Sequence, residues 1–187
     1  SERDGRVSVI PINGRYLPQR GDAVVGEIVD MGPSHWLVDI NAPYPAPLHA
    51  TESLWRVEFG DTARYMKVGD AILAFVLSVD EIKRIQLTMQ DRDARKLNGG
   101  MPVEISPTKV PRVIGKQGSM ISMIKDLTGT RVYVGQNGRI WIDGPDDGAA
   151  AAVLAIRFIE DRAQAFGLTE AVRDLLEKET RRKGPSP

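Results

Sequence analysis

Residues 113–124 read Val-Ile-Gly-Lys-Gln-Gly-Ser-Met-Ile-Ser-Met-Ile, a loop with paired glycines, Gly115 and Gly118, between two apolar flanks. Glycine at both ends lets the backbone approach a ligand with no Cβ in the way, and a helix that starts just after the loop offers unpaired N–H groups to an anion. Between residues 105 and 125 the chain carries Lys109, Arg112, Lys116 and Lys125 and no acid. The local field is positive, so the chemistry offered is the binding of phosphate groups. The absence of cysteine removes disulfides, thiol catalysis and Cys-based zinc sites.

The loop needs helices on both sides. Lys109, Val110, Arg112, Val113 and Ile114 fit a short helix begun at Pro107, and Met120, Ile121, Met123, Ile124 and Leu127 recur at three- and four-residue spacing until Thr128-Gly129 stops the second helix. A strand over 101–105 precedes them. After them come a strand over 130–134, the turn Gly135-Gln136-Asn137-Gly138, a returning strand over 139–143, and a long helix over 149–165 whose start holds Asp146 and Asp147. The order is strand, helix, helix, strand, strand, helix. A last helix runs from a Thr169 cap through Val172, Leu175 and Leu176 into Arg181-Arg182-Lys183, and Gly184-Pro185 ends it.

Upstream, the pattern changes to short strands. Residues 6–10 form one, ended by Pro11 and Asn13-Gly14. Residues 23–31 and 35–40 flank a Gly32-Pro33 turn, with Trp36, Val38 and Ile40 on one face and His35, Leu37 and Asp39 on the other. Prolines at 43, 45 and 47 interrupt the chain before Leu48-His49, and a helical connection is expected over 51–65. Strands over 71–79 and 85–89 follow. Five short strands with a helical insert indicate an OB-type barrel. Trp36, Trp55 and Trp141 are expected in cores or interfaces, the usual use of Trp. The polar run 92–99, closed by Asn98-Gly99-Gly100, is expected to be the linker.

The chain has 187 residues, enough for two small domains, and its 25 Lys and Arg balance 25 Asp and Glu. Contacts with a polyanion must then come from local patches. The longest nearly apolar runs, 71–79 and 149–156, are too short to span a bilayer and no signal peptide opens the chain. A soluble, cytoplasmic protein with no membrane partner is expected.

The pattern Val-Ile-Gly-Lys-x-Gly-x-x-Ile-x-x-Ile, met by residues 113–124, resembles the signature of the KH domain, whose GxxG loop clamps the backbone of single-stranded nucleic acid. Gln117 stands where that family often has a third glycine or a basic residue. Gly21-Asp22, Val38-Asp39-Ile40, Leu48-His49-Ala50-Thr51-Glu52, Val68-Gly69-Asp70, Leu77-Ser78-Val79-Asp80 and Arg84-Ile85-Gln86-Leu87-Thr88 together resemble the S1-type RNA-binding OB fold. That resemblance puts His49, Asp80 and Arg84 on the nucleic-acid face. It leaves Ser34 and Leu37 where the family usually stacks aromatics on bases.

One S1-type barrel, one type I KH domain (βααββα) and a C-terminal helix, led in by Gly14-Arg15-Tyr16-Leu17-Pro18-Gln19-Arg20-Gly21-Asp22, resemble the KH-containing RNA-binding cap subunits of archaeal exosomes. The resemblance implies residues 1–19 as the tail of an N-terminal β domain, 20–91 as the S1-type barrel, 92–99 as linker, 100–165 as KH domain and 166–187 as helix and tail. It implies a non-catalytic subunit without cofactor or metal, three copies of which sit on a hexameric ring of RNase PH-like subunits. There they bind single-stranded, adenine-rich RNA and feed its 3′ end to phosphorolytic sites. The implied contacts are Gly115, Lys116, Gln117 and Gly118 for phosphates, Arg112 and Lys109 for charge, Ile114 and Ile121 for the base groove, and His49, Asp80 and Arg84 in the barrel. Two alternatives stay open. One is a bacterial-type transcription factor, which joins an S1 barrel to two KH units of the other topology. The other is a ribonuclease using His35 and His49 as an acid–base pair.

Overall fold

The computed structural model describes residues 16–182 and, by backbone alone, the short pair β1 (Glu2–Arg3) and β2 (Arg6–Val7). The expected strand over 6–10 is seen only as β2. Its remainder, the Asn13-Gly14 turn and the Gly184-Pro185 stop lie outside the described residues.

The barrel comprises β3 (Ala23–Met31), β4 (His35–Asp39), β5 (Ala46–His49), β6 (Ala71–Val79) and β7 (Ile85–Thr88). Their order is β3-β4-β5-β7-β6, and pairing of β3 with β6 closes the ring. Alternation along β4 puts Trp36 and Val38 inward, fully buried, while His35, Leu37 and Asp39 face out. The Trp36 indole N–H finds its partner in the Met66 carbonyl at 3.0 Å, so the core tolerates its polar edge. Trp55, half-buried, stacks on Tyr65 with ring centroids 5.3 Å apart.

The helix expected over 51–65 does not form. Two 3-10 turns, Ala50–Glu52 and Thr62–Arg64, replace it. The Ser53 hydroxyl donates to the Ala50 carbonyl at 2.7 Å and accepts from the Trp55 N–H at 3.3 Å, which diverts the backbone from helical bonding. The segment read as a linker is also structured: β8 (Arg95–Leu97) pairs with the first half of β6.

The second unit has the order β9 (Met101–Glu104), α1 (Val110–Ile114), α2 (Ser119–Thr128), β10 (Arg131–Val134), β11 (Arg139–Asp143) and α3 (Asp146–Asp161). Its sheet runs β10-β11-β9, all antiparallel. Together the two units give the expected fold, an S1/OB-like barrel followed by a KH-like βααββα unit. The last helix, α4 (Leu168–Arg182), starts one residue before the expected Thr169 cap. It is no separate appendage, because Leu168, Val172 and Leu176 are buried in the same core as Val113, Ile124 and Ile156.

The two units meet at the β10–β11 turn. Asn137, fully buried, donates to the carbonyls of Val25 and Ile40, both at 2.9 Å, and accepts from the Val25 N–H at 3.3 Å. Asn41 donates back to the Asn137 carbonyl at 2.9 Å, and Arg139 reaches Asp39 through its carbonyl at 2.8 Å and its carboxylate at 3.0 Å. Gly135 is required here for room: a Cβ would come within 2.7 Å of the Val25 nitrogen. Beside this seam Val25, Leu73 and Leu97 pack with Tyr133 and Trp141.

Candidate nucleic-acid interface

Residues 115–118 form a tight left-handed loop between α1 and α2. Gly115 has φ 76° and Gly118 φ 76°, and Gln117 between them has φ 56°. At Gly115 glycine is also needed for space, since a Cβ would lie 2.6 Å from that of Met120. Around Gly118 there is open space, so that position needs glycine for its dihedral alone.

The loop presents exposed Lys116 and Gln117 at the head of the ten-residue helix α2, whose first turn contains no acid. Here the Gly118 N–H donates to the Gly115 carbonyl at 3.2 Å and the Ser119 N–H to the Lys116 carbonyl, so the positive end of the α2 dipole, more than free donors, favours an anion. Among the described residues neither Lys116 nor Lys109 is in an ion pair. Exposed Arg112 sits one helical turn before the loop and donates to the Ala165 carbonyl at 2.9 Å. It thereby braces the segment that follows α3.

Ile114 is half-buried beside the loop. Ile121, expected in a base groove, is only 8% exposed and belongs to the core with Met120 and Ile124. Its place on the apolar stripe of α2 turns it toward that core.

In the barrel the expected residues divide into two groups. His49 is exposed on β5 and stands opposite His35 on β4, with ring centroids 6.4 Å apart. No described hydrogen bond links either ring to a carboxylate, the third group that orients a general base in nucleophile–base sites. No cluster of His, Asp or Glu able to hold a metal occurs among the described residues. Asp80 and Arg84 lie at the β6–β7 hairpin. One Asp80 oxygen accepts from the Ile82 and Arg84 N–H groups at 3.0 and 2.8 Å, and the other takes the Arg84 Nε at 2.9 Å. The Arg84 backbone bond, joined by the Arg84 side chain and the Ile82 N–H, holds the Asp80 carboxyl below the usual carboxylate range. Its lone pairs are thus spent on shaping the hairpin.

Ser34 is exposed and Leu37 half-buried, so no aromatic projects from either position. Tyr44 belongs to no motif, and a proline on each side is its sole mark in the sequence. The fold leaves it 81% exposed.

Comparisons with known proteins agree with this architecture. The profile of the family described as RRP4, S1 domain matches residues 15–63, and that of the KH domain matches residues 100–148. The exosome complex component Rrp4 of Thermoplasma volcanium is 48% identical over 175 residues, covering 94% of this chain and 74% of that protein. The protein of the same name from Methanosarcina mazei is 44% identical over 179 residues, covering 96% and 69%. A crystal structure of a proposed exosome complex RNA-binding protein superposes with a TM-score of 0.79 at 38% identity, covering 91% of this chain and 99% of that one. With nearly half of its residues shared along nearly its whole length, the chain belongs to the family of the exosome complex component Rrp4.

Proposed function

We propose that this chain is a non-catalytic RNA-binding cap subunit of an archaeal exosome. Three copies sit on a hexameric ring of RNase PH-like subunits, hold single-stranded, adenine-rich RNA, and pass its 3′ end to phosphorolytic sites in the ring. The observation that carries this reading is the 115–118 loop: positive φ at Gly115, Gln117 and Gly118, a Lys116 with no ion pair among the described residues, and the N-terminus of α2 directly after them. Such a loop meets phosphates, which every RNA sequence offers, so it suits a subunit that must capture many substrates. Gly115, Lys116, Gln117 and Gly118 contact the backbone, with Lys109 and Arg112 adding charge. Ile114 and the outer edge of Ile121 border the bases. His49 and Arg84 extend the contact in the barrel, and Asp80 acts by holding Arg84.

The test is labelled oligoadenylate incubated with the chain alone, with ring subunits alone and with both, in buffers with and without phosphate. The chain alone binds without shortening the RNA. Phosphate-dependent shortening appears only with the ring and is stimulated by the chain. Shortening by the pure chain would instead favour the ribonuclease alternative.

A further inference from the structure

The surface holding Asp80 and Arg84 extends beyond the hairpin. A groove of about 1070 Å³ runs between the β6–β7 hairpin, the loop after β4 and the segment 16–19. Three large apolar side chains stand open along it: Tyr44 at 81% exposure, Leu17 at 76% and Ile82 at 69%. A single exposed apolar side chain is ordinary, but three lining one groove mark a contact surface.

Tyr44 is the member with chemistry. It lies in Pro43-Tyr44-Pro45, where the pyrrolidine rings restrict the backbone on both sides, so the ring is presented at low entropic cost. Its hydroxyl has no hydrogen-bond partner among the described residues, whereas the buried Tyr16 gives its own to Asp22 at 2.8 Å. Across the groove Arg84 is pinned through Nε to Asp80, and no described contact uses its Nη groups.

The groove also continues the face on which the barrel candidates stand. Pro47 lines it and pairs across the sheet with Leu37, and His49, two residues along the same strand, projects from the same side and pairs with His35. Electrostatics then narrows the contact. Asp80 and Glu81 offset Lys83 and Arg84 within the hairpin, so the groove releases few counterions. Tyr44 and Arg84 line the same groove, and an exposed aromatic with a guanidinium on another wall favours a π-face over a phosphate.

We propose that Tyr44 is the base-stacking residue of this barrel. It seats one unpaired base of single-stranded RNA in the 1070 Å³ groove and replaces the aromatics absent at Ser34 and Leu37. The proposal rests on the RNA-binding reading given above.

The experiment measures oligoadenylate affinity of the full chain at two salt concentrations for the native protein, Tyr44→Ala, Tyr44→Phe and Lys116→Asp/Gln117→Asp. Stacking is worth enough that Tyr44→Ala should weaken binding about tenfold. It should do so by the same factor at both salts, because no phosphate contact is lost. Tyr44→Phe, which keeps the ring, should stay within about twofold of native. The loop double variant should weaken binding and flatten the salt dependence. If Tyr44→Ala binds as tightly as native while the loop variant fails, the groove is not an RNA site and serves a protein partner. The proposal is then overturned and the RNA-binding reading stands. If Tyr44→Phe loses as much as Tyr44→Ala, the contact runs through the hydroxyl and stacking is refuted. If the native chain binds no RNA at either salt, both readings fall together.

Discussion

The Asn137 side chain reads both backbone groups of Val25: its Nδ2 donates to the carbonyl at 2.9 Å and its Oδ1 accepts from the N–H at 3.3 Å. The two residues are 112 positions apart, so the pair is a long-range clasp between KH hairpin and barrel. The hairpin turn thereby acts as a plug that fixes the GxxG loop relative to the barrel face.

Asn137→Ala should be strongly destabilising. It strands the Val25 N–H and the Ile40 carbonyl in a buried seam, a loss of about 2–4 kcal/mol. Urea unfolding of the full chain measures it. A change below about 0.5 kcal/mol would mean that water or backbone movement replaces the clasp.

Acid should loosen the β6–β7 hairpin. The Asp80 carboxyl titrates below its unfolded value because the Arg84 and Ile82 N–H groups and the Arg84 side chain favour its charged form. The stabilisation is therefore present above the unfolded carboxylate pKa and is lost as pH falls through the lower, folded value. Amide shifts of Ile82 and Arg84 should report that titration. In Asp80→Asn they should be acid-insensitive, and a native-like titration in that variant would assign the effect to another group.

Salt should weaken RNA binding with a shallow, measurable slope. The chain has zero formal net charge, and the loop region supplies a few cations, Lys109, Arg112, Lys116 and Lys125. About two to four phosphates are neutralised, which gives a slope of log affinity on log salt of roughly −1.5 to −3. Ring-bound trimers should bind long oligoadenylate on the order of a hundredfold more tightly than the free chain, because three sites around one entrance raise each other's effective concentration. Equal affinities would show that assembly adds nothing to capture.

Much of this was legible in residue spacing. Trp36, Val38 and Ile40 alternate so regularly that the inward face of β4 follows from period two, and the stripe from Met120 to Ile124 identifies α2. Legibility ended where distant residues decide local structure. Residues 95–97 look like polar linker because what buries Leu97 is Leu73 of the barrel with Tyr133 and Trp141 of the other unit. Asn137 reads as an ordinary turn residue, since nothing nearby reveals that its partners are Val25 and Ile40. The 51–65 segment has helix-compatible residues, yet the Ser53 hydroxyl bonds to the Ala50 carbonyl and the Trp55 N–H, and Gly60 takes a φ of 89° with its N–H given to Pro33. Ile121 matched a motif position, yet the same stripe that predicts α2 draws it into the core.

The proposed seat of the RNA phosphates is the 115–118 loop. Lys116→Asp with Gln117→Asp tests it with little disturbance to the fold, because both side chains are exposed, Asp tolerates the left-handed conformation at 117, and acids suit the start of α2. Stability should change by no more than about 0.5 kcal/mol. Oligoadenylate binding at one fixed salt, measured by fluorescence anisotropy on native and double-variant chains, is the direct measurement. The double variant should lose at least about tenfold in affinity, equally for oligoadenylate and oligouridylate, since phosphates carry no sequence. Native-like affinity in a folded double variant would contradict it.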